Sequence, residues 1–282
     1  MNTTQNPQEL QGLCRAWRTQ GLSVALVPTM GFFHAGHLAL MDRARGLADK
    51  LVVSLFVNPT QFGPNEDLDS YPRDLERDSE LAQAHGADLL FTPEPGSMYA
   101  PDHATWIEVP ELARGLCGAS RPIHFRGVCT VVSKLFHLVD PDVAVFGEKD
   151  WQQLAIIRRM VRDLDFPVRI VPQPIVREED GLAMSSRNVR LTPEERLQAP
   201  GIQKGLAMLQ ELVHGGERSV PALKEALFAH YAENVPLGRV DYAEIVHPES
   251  LTPAETLTGP ALAAVAIHMS KARLIDNFLL EV

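Results

Sequence analysis

Five short apolar runs separated by helical patterns leave this chain few folds to choose from. The runs cover residues 23–27, 51–57, 87–91, 143–146 and 168–171. The second, LVVSLFV, is apolar almost without a break, the pattern of a strand covered on both faces. Helical patterns occupy residues 8–20, a stretch opening near Gly36, and residues 74–85, 125–139 and 152–164. In the stretch after Gly36, Leu38, Met41, Ala44 and Ala48 fall on one face, while Asp42, Arg43, Asp49 and Lys50 point away. Alternation of this kind predicts a parallel, doubly wound sheet of the Rossmann type in an α/β domain.

Past Val176 the character changes. Residues 177–188, REEDGLAMSSRN, read as a flexible linker or a mobile binding loop. Thr192-Pro193-Glu194-Glu195 has the signature of a helix start. Helices over 193–214 and 220–234 are expected next, then strands over 240–246, 261–269 and 273–280. Helices first and consecutive strands afterwards predict a smaller α+β domain with an antiparallel sheet. The expected domains are therefore residues 1–176 and 177–282.

In doubly wound sheets ligands bind beyond the carboxyl ends of the strands. Three polar joints lie there, after Val27, after Val57 and after Phe146. The first carries Met30-Gly31-Phe32-Phe33-His34-Ala35-Gly36-His37. Two imidazoles thus stand where a strand ends and a helix begins, a place where unpaired N–H groups and the helix dipole favour an anion. A zinc site built on the two rings is the alternative, but no His-Glu-x-x-His pattern and no cysteine cluster supports it. Small Ala35 and Gly36 between the rings suit the close approach of a nucleotide.

The third joint carries Gly147-Glu148-Lys149-Asp150. Its ammonium reads either as part of a solvated cluster or as a mobile charge for a phosphate. In Met184-Ser185-Ser186-Arg187 two hydroxyls precede a planar guanidinium fork suited to phosphate. Gln61 and Gln153 are neutral amides able to orient a hydroxy-carboxylate without adding charge.

The formal net charge of −10 argues against a nucleic-acid or anionic-membrane surface. No apolar run approaches the ~20 residues of a membrane span. Cys14, Cys117 and Cys129 are scattered, which points to a reducing cytoplasmic compartment.

His-x-Gly-His after a first strand, with a later Met-Ser-Ser-Arg loop, resembles the nucleotidyltransferase superfamily that includes class I aminoacyl-tRNA synthetases. PTMGFFHAGH, SLFVNPTQF, YPRD, HFRGV, FGEKDWQQL, REEDGLAMSSRN and RLIDN together resemble the narrower family of pantoate–β-alanine ligases, the pantothenate synthetases. The resemblance covers nearly the whole chain and is least diagnostic over residues 193–265. It implies ATP-dependent ligation of (R)-pantoate to β-alanine through a pantoyl-adenylate, with AMP and pyrophosphate released.

By the same resemblance Met30, Gly31, His34 and His37 would hold the ATP phosphates, with His37 as proton donor. Lys149 and Arg187 would neutralise the transferring and leaving phosphates. Gly147, Asp150, Val176, Met184, Ser185 and Ser186 would line the nucleotide, and Gln61 and Gln153 would hold pantoate. Mg²⁺ would accompany ATP, the smaller domain would close over it, and the chain would form a homodimer through its first domain. A related adenylyltransferase, or an ATP-binding protein without turnover, is the alternative function.

Four positions depart from the family pattern. Phe32 and Phe33 stand where a smaller residue and a Leu are usual, so repacking is expected there. Trp151 replaces a Tyr or Phe. Arg77 interrupts the acidic residues expected to serve a metal after YPR, and Asp78 is the remaining acidic candidate.

Overall fold

The five apolar runs become five of the six strands of one parallel sheet. The computed structural model describes residues 1–64 and 66–282. The strands are β1 (Asn2–Thr4), β2 (Val24–Thr29), β3 (Lys50–Leu55), β4 (Leu89–Phe91), β5 (Val143–Gly147) and β6 (Arg169–Gln173). They lie in the order β1-β4-β3-β2-β5-β6, and every neighbouring pair is parallel. The doubly wound sheet expected from the alternation is therefore present.

Alternate inner-strand residues Ala25, Val27, Leu51, Val53, Val143 and Val145 share one core with Met41 and Ala44 of helix Ala35–Arg45. The edge strand β1 is not legible in the sequence. Three residues of polar character carry too little periodicity to mark a strand.

Pro28 lies within β2, a central strand, and the register explains how it is tolerated. β2 pairs with β3 through Thr29, but with β5 only at Ala25 and Leu26. Val24 and Thr29 accept from the β5 and β3 sides respectively, through Asp142 N and Phe56 N. By alternation, Pro28 turns its missing N–H toward β5, beyond the end of that ladder.

The second sheet joins β7 (Arg239–Val246), β8 (Ala261–His268) and β9 (Arg273–Leu280) in antiparallel order, as expected for the smaller domain. Seven of the eight β8 residues are buried because both faces of the sheet are covered. Ala261, Ala263, Val265 and Ile267 pack with Leu206, Leu209, Leu223 and Leu227 of helices Gly201–His214 and Val220–Asn234. Leu262 and Ala264 face the other way, onto Leu116, Tyr242 and Trp151.

One helix expected over 193–214 is in fact two, Pro193–Gln198 and Gly201–His214. Pro200 stands between them and lacks the N–H a continuous helix requires.

Two compact units result. The first contains Met1–Glu111, Arg121–Glu148 and Ile156–Pro174, and the second Leu112–Ser120, Lys149–Ala155 and Ile175–Val282. Leu116 and Trp151 show why two early segments belong to the second unit: they cover the open face of its sheet. Trp151 also donates its indole N–H to Pro248 O at 2.8 Å. No helix among the described residues is long and apolar enough to cross a membrane.

Candidate active site

In the first unit the chain leaves β2 toward β3 but leaves β5 toward β6, so the direction of winding reverses between β2 and β5. Their carboxyl ends, Thr29 and Gly147, flank the crevice where such sheets take ligands. The β2 end then turns sharply. Gly31 has φ +84° and Phe32 φ +54°. A Cβ on Gly31 would meet Asp78 Oδ2 and Leu55 at 3.0 Å, so glycine is required both for conformation and for space.

Asp78 is the clamp of this turn. Its side chain is 1% exposed and accepts Phe32 N–H at 2.6 Å and Phe33 N–H at 2.7 Å. Burial pushes its carboxyl above the usual range, while the two amide bonds pull it part of the way back. The guanidinium of Arg77 lies 5.7 Å from the Phe32 ring centroid, and Phe33 enters the core. The two aromatic departures at 32 and 33 thus have separate places, one under a cation and one buried.

The turn delivers His34 as N-cap of helix Ala35–Arg45. His34 Nδ1 accepts Gly36 N–H at 3.1 Å, and His37 Nδ1 accepts His34 N–H at 3.4 Å, which makes a capping box of two imidazoles. An Nδ1 that accepts a backbone N–H carries no proton, so the ring proton of each neutral imidazole sits on Nε2. The rings stack obliquely with centroids 4.2 Å apart. Two ring N–H groups, one at the N-cap and one on the first turn of an eleven-residue helix, are chemically suited to an anion.

The second joint is equally determined. Gln61 ends the single turn Pro59–Gln61, and its side chain is buried. Its Nε2 lies 3.1 Å from Met30 Sδ, and its Oε1 accepts from Asn58 Nδ2 at 3.1 Å. Asn58 Nδ2 also donates to Gly127 O, and Tyr99 Oη donates to Asn58 Oδ1 at 2.9 Å. His124 and Arg121 bond the Gln61 carbonyl. Gly127 lets helix His124–Val139 touch this turn backbone to backbone, because a Cβ there would stand 2.5 Å from Thr60 O.

In the second unit Lys149 lies in the turn Glu148–Asp150, two residues beyond β5 in the chain, and its side chain enters no ion pair among the described residues. Its carbonyl accepts Asn277 Nδ2 at 2.9 Å. Gln153 is half-buried on the following helix, Trp151–Asp163.

Residues 177–188 are not the loose linker their composition suggests. Arg177 bridges Ala183, Glu178 N bonds Leu182 O, and Met184 N bonds Val176 O, so the segment folds back as a hairpin. Arg177 grips the buried Asp276 with two nitrogens, at 2.6 and 3.0 Å. Arg196 holds Glu178 at 2.6 Å and Asp180 at 2.5 Å, and Asn188 Nδ2 donates to Glu178 at 2.6 Å. Arg177, Glu178 and Asp180, which look solvated in the sequence, are each held in an ion pair. Ser185 Oγ accepts Arg187 N–H at 3.2 Å, Ser186 is buried and Arg187 half-buried.

These staples carry a pH dependence. Asp180 sits below its ordinary 3.8 because Arg196 hydrogen-bonds and pairs with it, and Glu195 sits below its ordinary 4.5 because Ser270 and Thr192 amides donate to it. Their folded values lie below their unfolded ones, so their stabilisation is present above the ordinary values of 3.8 and 4.5 and is lost as pH falls through the depressed ones. Thermal melting against pH should show this acid loss, and Arg196→Gln should flatten it. An identical slope in the variant would contradict the assignment.

The first unit thus gathers Met30, Gly31, His34, His37, Gln61 and Gly147 at the ends of neighbouring strands. The second contains Lys149, Asp150, Gln153, Val176, Met184, Ser185, Ser186 and Arg187. Sequence reasoning missed Asn58, Tyr99, Gly127, Asp276 and Asn277, and gave Asp78 a different task. HFRGV and RLIDN are visible as motifs, but nothing in their letters discloses a partner. Among the described residues no group of three or more His, Cys, Asp or Glu is placed to hold a metal ion.

Comparison with known proteins gives one answer. The family model described as pantoate-beta-alanine ligase matches residues 2–279. Pantothenate synthetase of Desulfovibrio desulfuricans is 64% identical over 275 residues, 98% of each chain. The crystal structure of pantothenate synthetase from Thermus thermophilus superposes with a TM-score of 0.92 at 48% identity, over 99% of each chain. That of the pantoate-beta-alanine ligase from Francisella tularensis, complexed with beta-gamma ATP and beta-alanine, gives 0.79 at 31% identity, over 99% of this chain and 97% of that one.

Proposed function

The chain belongs to the pantoate–β-alanine ligase family, and from that membership we propose how this ATP-dependent ligase, which joins pantoate to β-alanine, divides its chemistry among its residues. In the first step a carboxylate oxygen of (R)-pantoate attacks the α-phosphorus of ATP. The bond from that phosphorus to the bridging oxygen breaks, and pyrophosphate leaves. In the second step the free amine of β-alanine attacks the acyl carbon. The carbon–oxygen bond breaks, AMP departs with one pantoate oxygen, and the amine nitrogen gives up a proton as the amide forms.

The observation that carries this reading is the imidazole capping box. Nε2–H donors of His34 and His37, fixed at a helix N-terminus, suit the triphosphate, and His37 is the proton donor. Met30 and Gly31 belong to the same wall. Lys149 and Arg187 neutralise charge that gathers on the transferring and leaving phosphates. Gly147, Asp150, Val176, Met184, Ser185 and Ser186 line the nucleotide, with the smaller domain, 177–282, closing over it. Gln61 and Gln153 hold pantoate in line for attack.

Mg²⁺ belongs to the proposal as a companion of ATP, because this ion is ordinarily held by substrate phosphates and water. Asp78 does not fit as its ligand, since its carboxylate is 1% exposed and both oxygens are turned onto backbone amides. A homodimer through the first domain and a cytoplasmic location complete the reading. Three free, buried cysteines support the latter, with Cys14 and Cys129 pushed up to about 12 by burial, as inert thiols.

Gly127→Ala tests the pantoate wall. A methyl 2.5 Å from Thr60 O and 2.6 Å from Gln61 N must displace that turn. A loss on the order of 10- to 100-fold in kcat/KM for pantoate is expected, with the ATP KM much less affected. Equal KM values for pantoate in variant and wild type would remove Gln61 from the site.

The two-step route is tested by carboxylate-¹⁸O pantoate. One labelled oxygen should appear in AMP for each pantothenate formed. Unlabelled AMP, or ADP as the product, would overturn the route.

A further inference from the structure

The C-terminal motif RLIDN has no part in the chemistry above, yet two of its residues are buried polar groups on a strand between apolar neighbours. Asp276 and Asn277 are consecutive on β9, so their side chains leave opposite faces of the sheet. The register agrees. Asp276 pairs with Val265, whose side chain joins the core under the two long helices, and Asn277 pairs with Ala264, which faces Trp151. On one face Asp276 takes both Arg177 nitrogens and fixes the base of the hairpin that leads to Met184 and Arg187. On the other, Asn277 donates to the Lys149 carbonyl at 2.9 Å.

We propose that Asp276 and Asn277 are positioning residues for catalysis, one setting the hairpin that carries Arg187 and the other setting the turn that carries Lys149. Their juxtaposition on one strand fixes the two cations on a common rigid support. Stability alone is a poor reason for the pair. A buried ion pair is seldom better for stability than apolar residues of the same volume, and its best-attested use is to enforce one geometry. A long, flexible lysine also gains most from having its main chain held, since its stem has four rotatable carbons.

The inference rests on the roles given to Lys149 and Arg187, and its test separates the two. Adenylation is measured as pyrophosphate release from ATP and pantoate, in Asn277→Ala and in Asn277→Asp, each alone and combined with Lys149→Ala. Asn277→Asp keeps the volume and turns an acceptor toward the Lys149 carbonyl, so it serves if the alanine variant folds poorly. A loss in kcat on the order of 10- to 100-fold is expected for either, with no further loss in the Lys149→Ala background. Asp276→Asn should behave in the same way against Arg187→Ala. Losses that multiply, or an unchanged kcat in both Asn277 variants beside a crippled Lys149→Ala, would overturn the positioning role. A silent Lys149→Ala would instead overturn the reading of Lys149, and the inference with it.

Discussion

Lys149→Ala should slow formation of the adenylate about 100- to 1,000-fold and leave the melting temperature nearly unchanged. Removing one well-placed donor to a charge that develops in the transition state costs about 2.7–4 kcal/mol, which is that factor in rate. Little stability should be lost, because the side chain enters no ion pair among the described residues and contributes to neither apolar core of its unit. The carbonyl that Asn277 holds is main chain and survives the substitution. Single-turnover pyrophosphate release beside a thermal melt checks both halves. Near-normal adenylation in the variant would remove Lys149 from the mechanism.

Asp78→Ala should show the opposite signature, a large loss of stability that takes activity with it. The substitution strands two backbone N–H groups in a site where the carboxylate was 1% exposed. Each stranded donor costs about 1–3 kcal/mol, and relief from burying a carboxylate offsets part of the sum. A net loss of about 3 kcal/mol is expected, or about 6–12 °C in melting temperature for a unit of this size. The Gly31-Phe32 turn, with two residues at positive φ, would lose its clamp, and the His34 cap with it. Asp78→Asn keeps the volume but turns an amide donor on one of the two N–H groups, so it should fall between wild type and alanine. Wild-type melting in both variants would show that Asp78 does not hold the turn.

These two cases also show how far the sequence can be read. The doubly wound sheet follows from apolar runs long enough to be buried on both faces, a signal each run carries by itself. The second sheet follows from consecutive strands after helices. His34 and His37 can be placed because they sit at a joint whose strand and helix are both local in sequence. The motifs that resemble a family extend the reading to Gln61, Lys149 and Arg187.

What stays hidden is pairing over distance. Asp78 serves a turn 45 residues before it, and Asp276 serves Arg177 across 99. No periodicity records such partners. Residues 177–188 look like a loose segment for the same reason, since their charges find Arg196 and Asp276 only once the chain has folded. Gly127 is silent because a missing Cβ matters only where another backbone arrives.

The proposal at the centre is that His37, Lys149 and Arg187 all act on the triphosphate of ATP. Rapid-quench measurement of pyrophosphate, with ATP and pantoate present and β-alanine withheld, tests it most directly. Wild type should release a burst of one pyrophosphate per active chain, and His37→Ala, Lys149→Ala and Arg187→Ala should each slow that burst. Release that waits for β-alanine, or a burst untouched by substitution in either unit, would contradict the account.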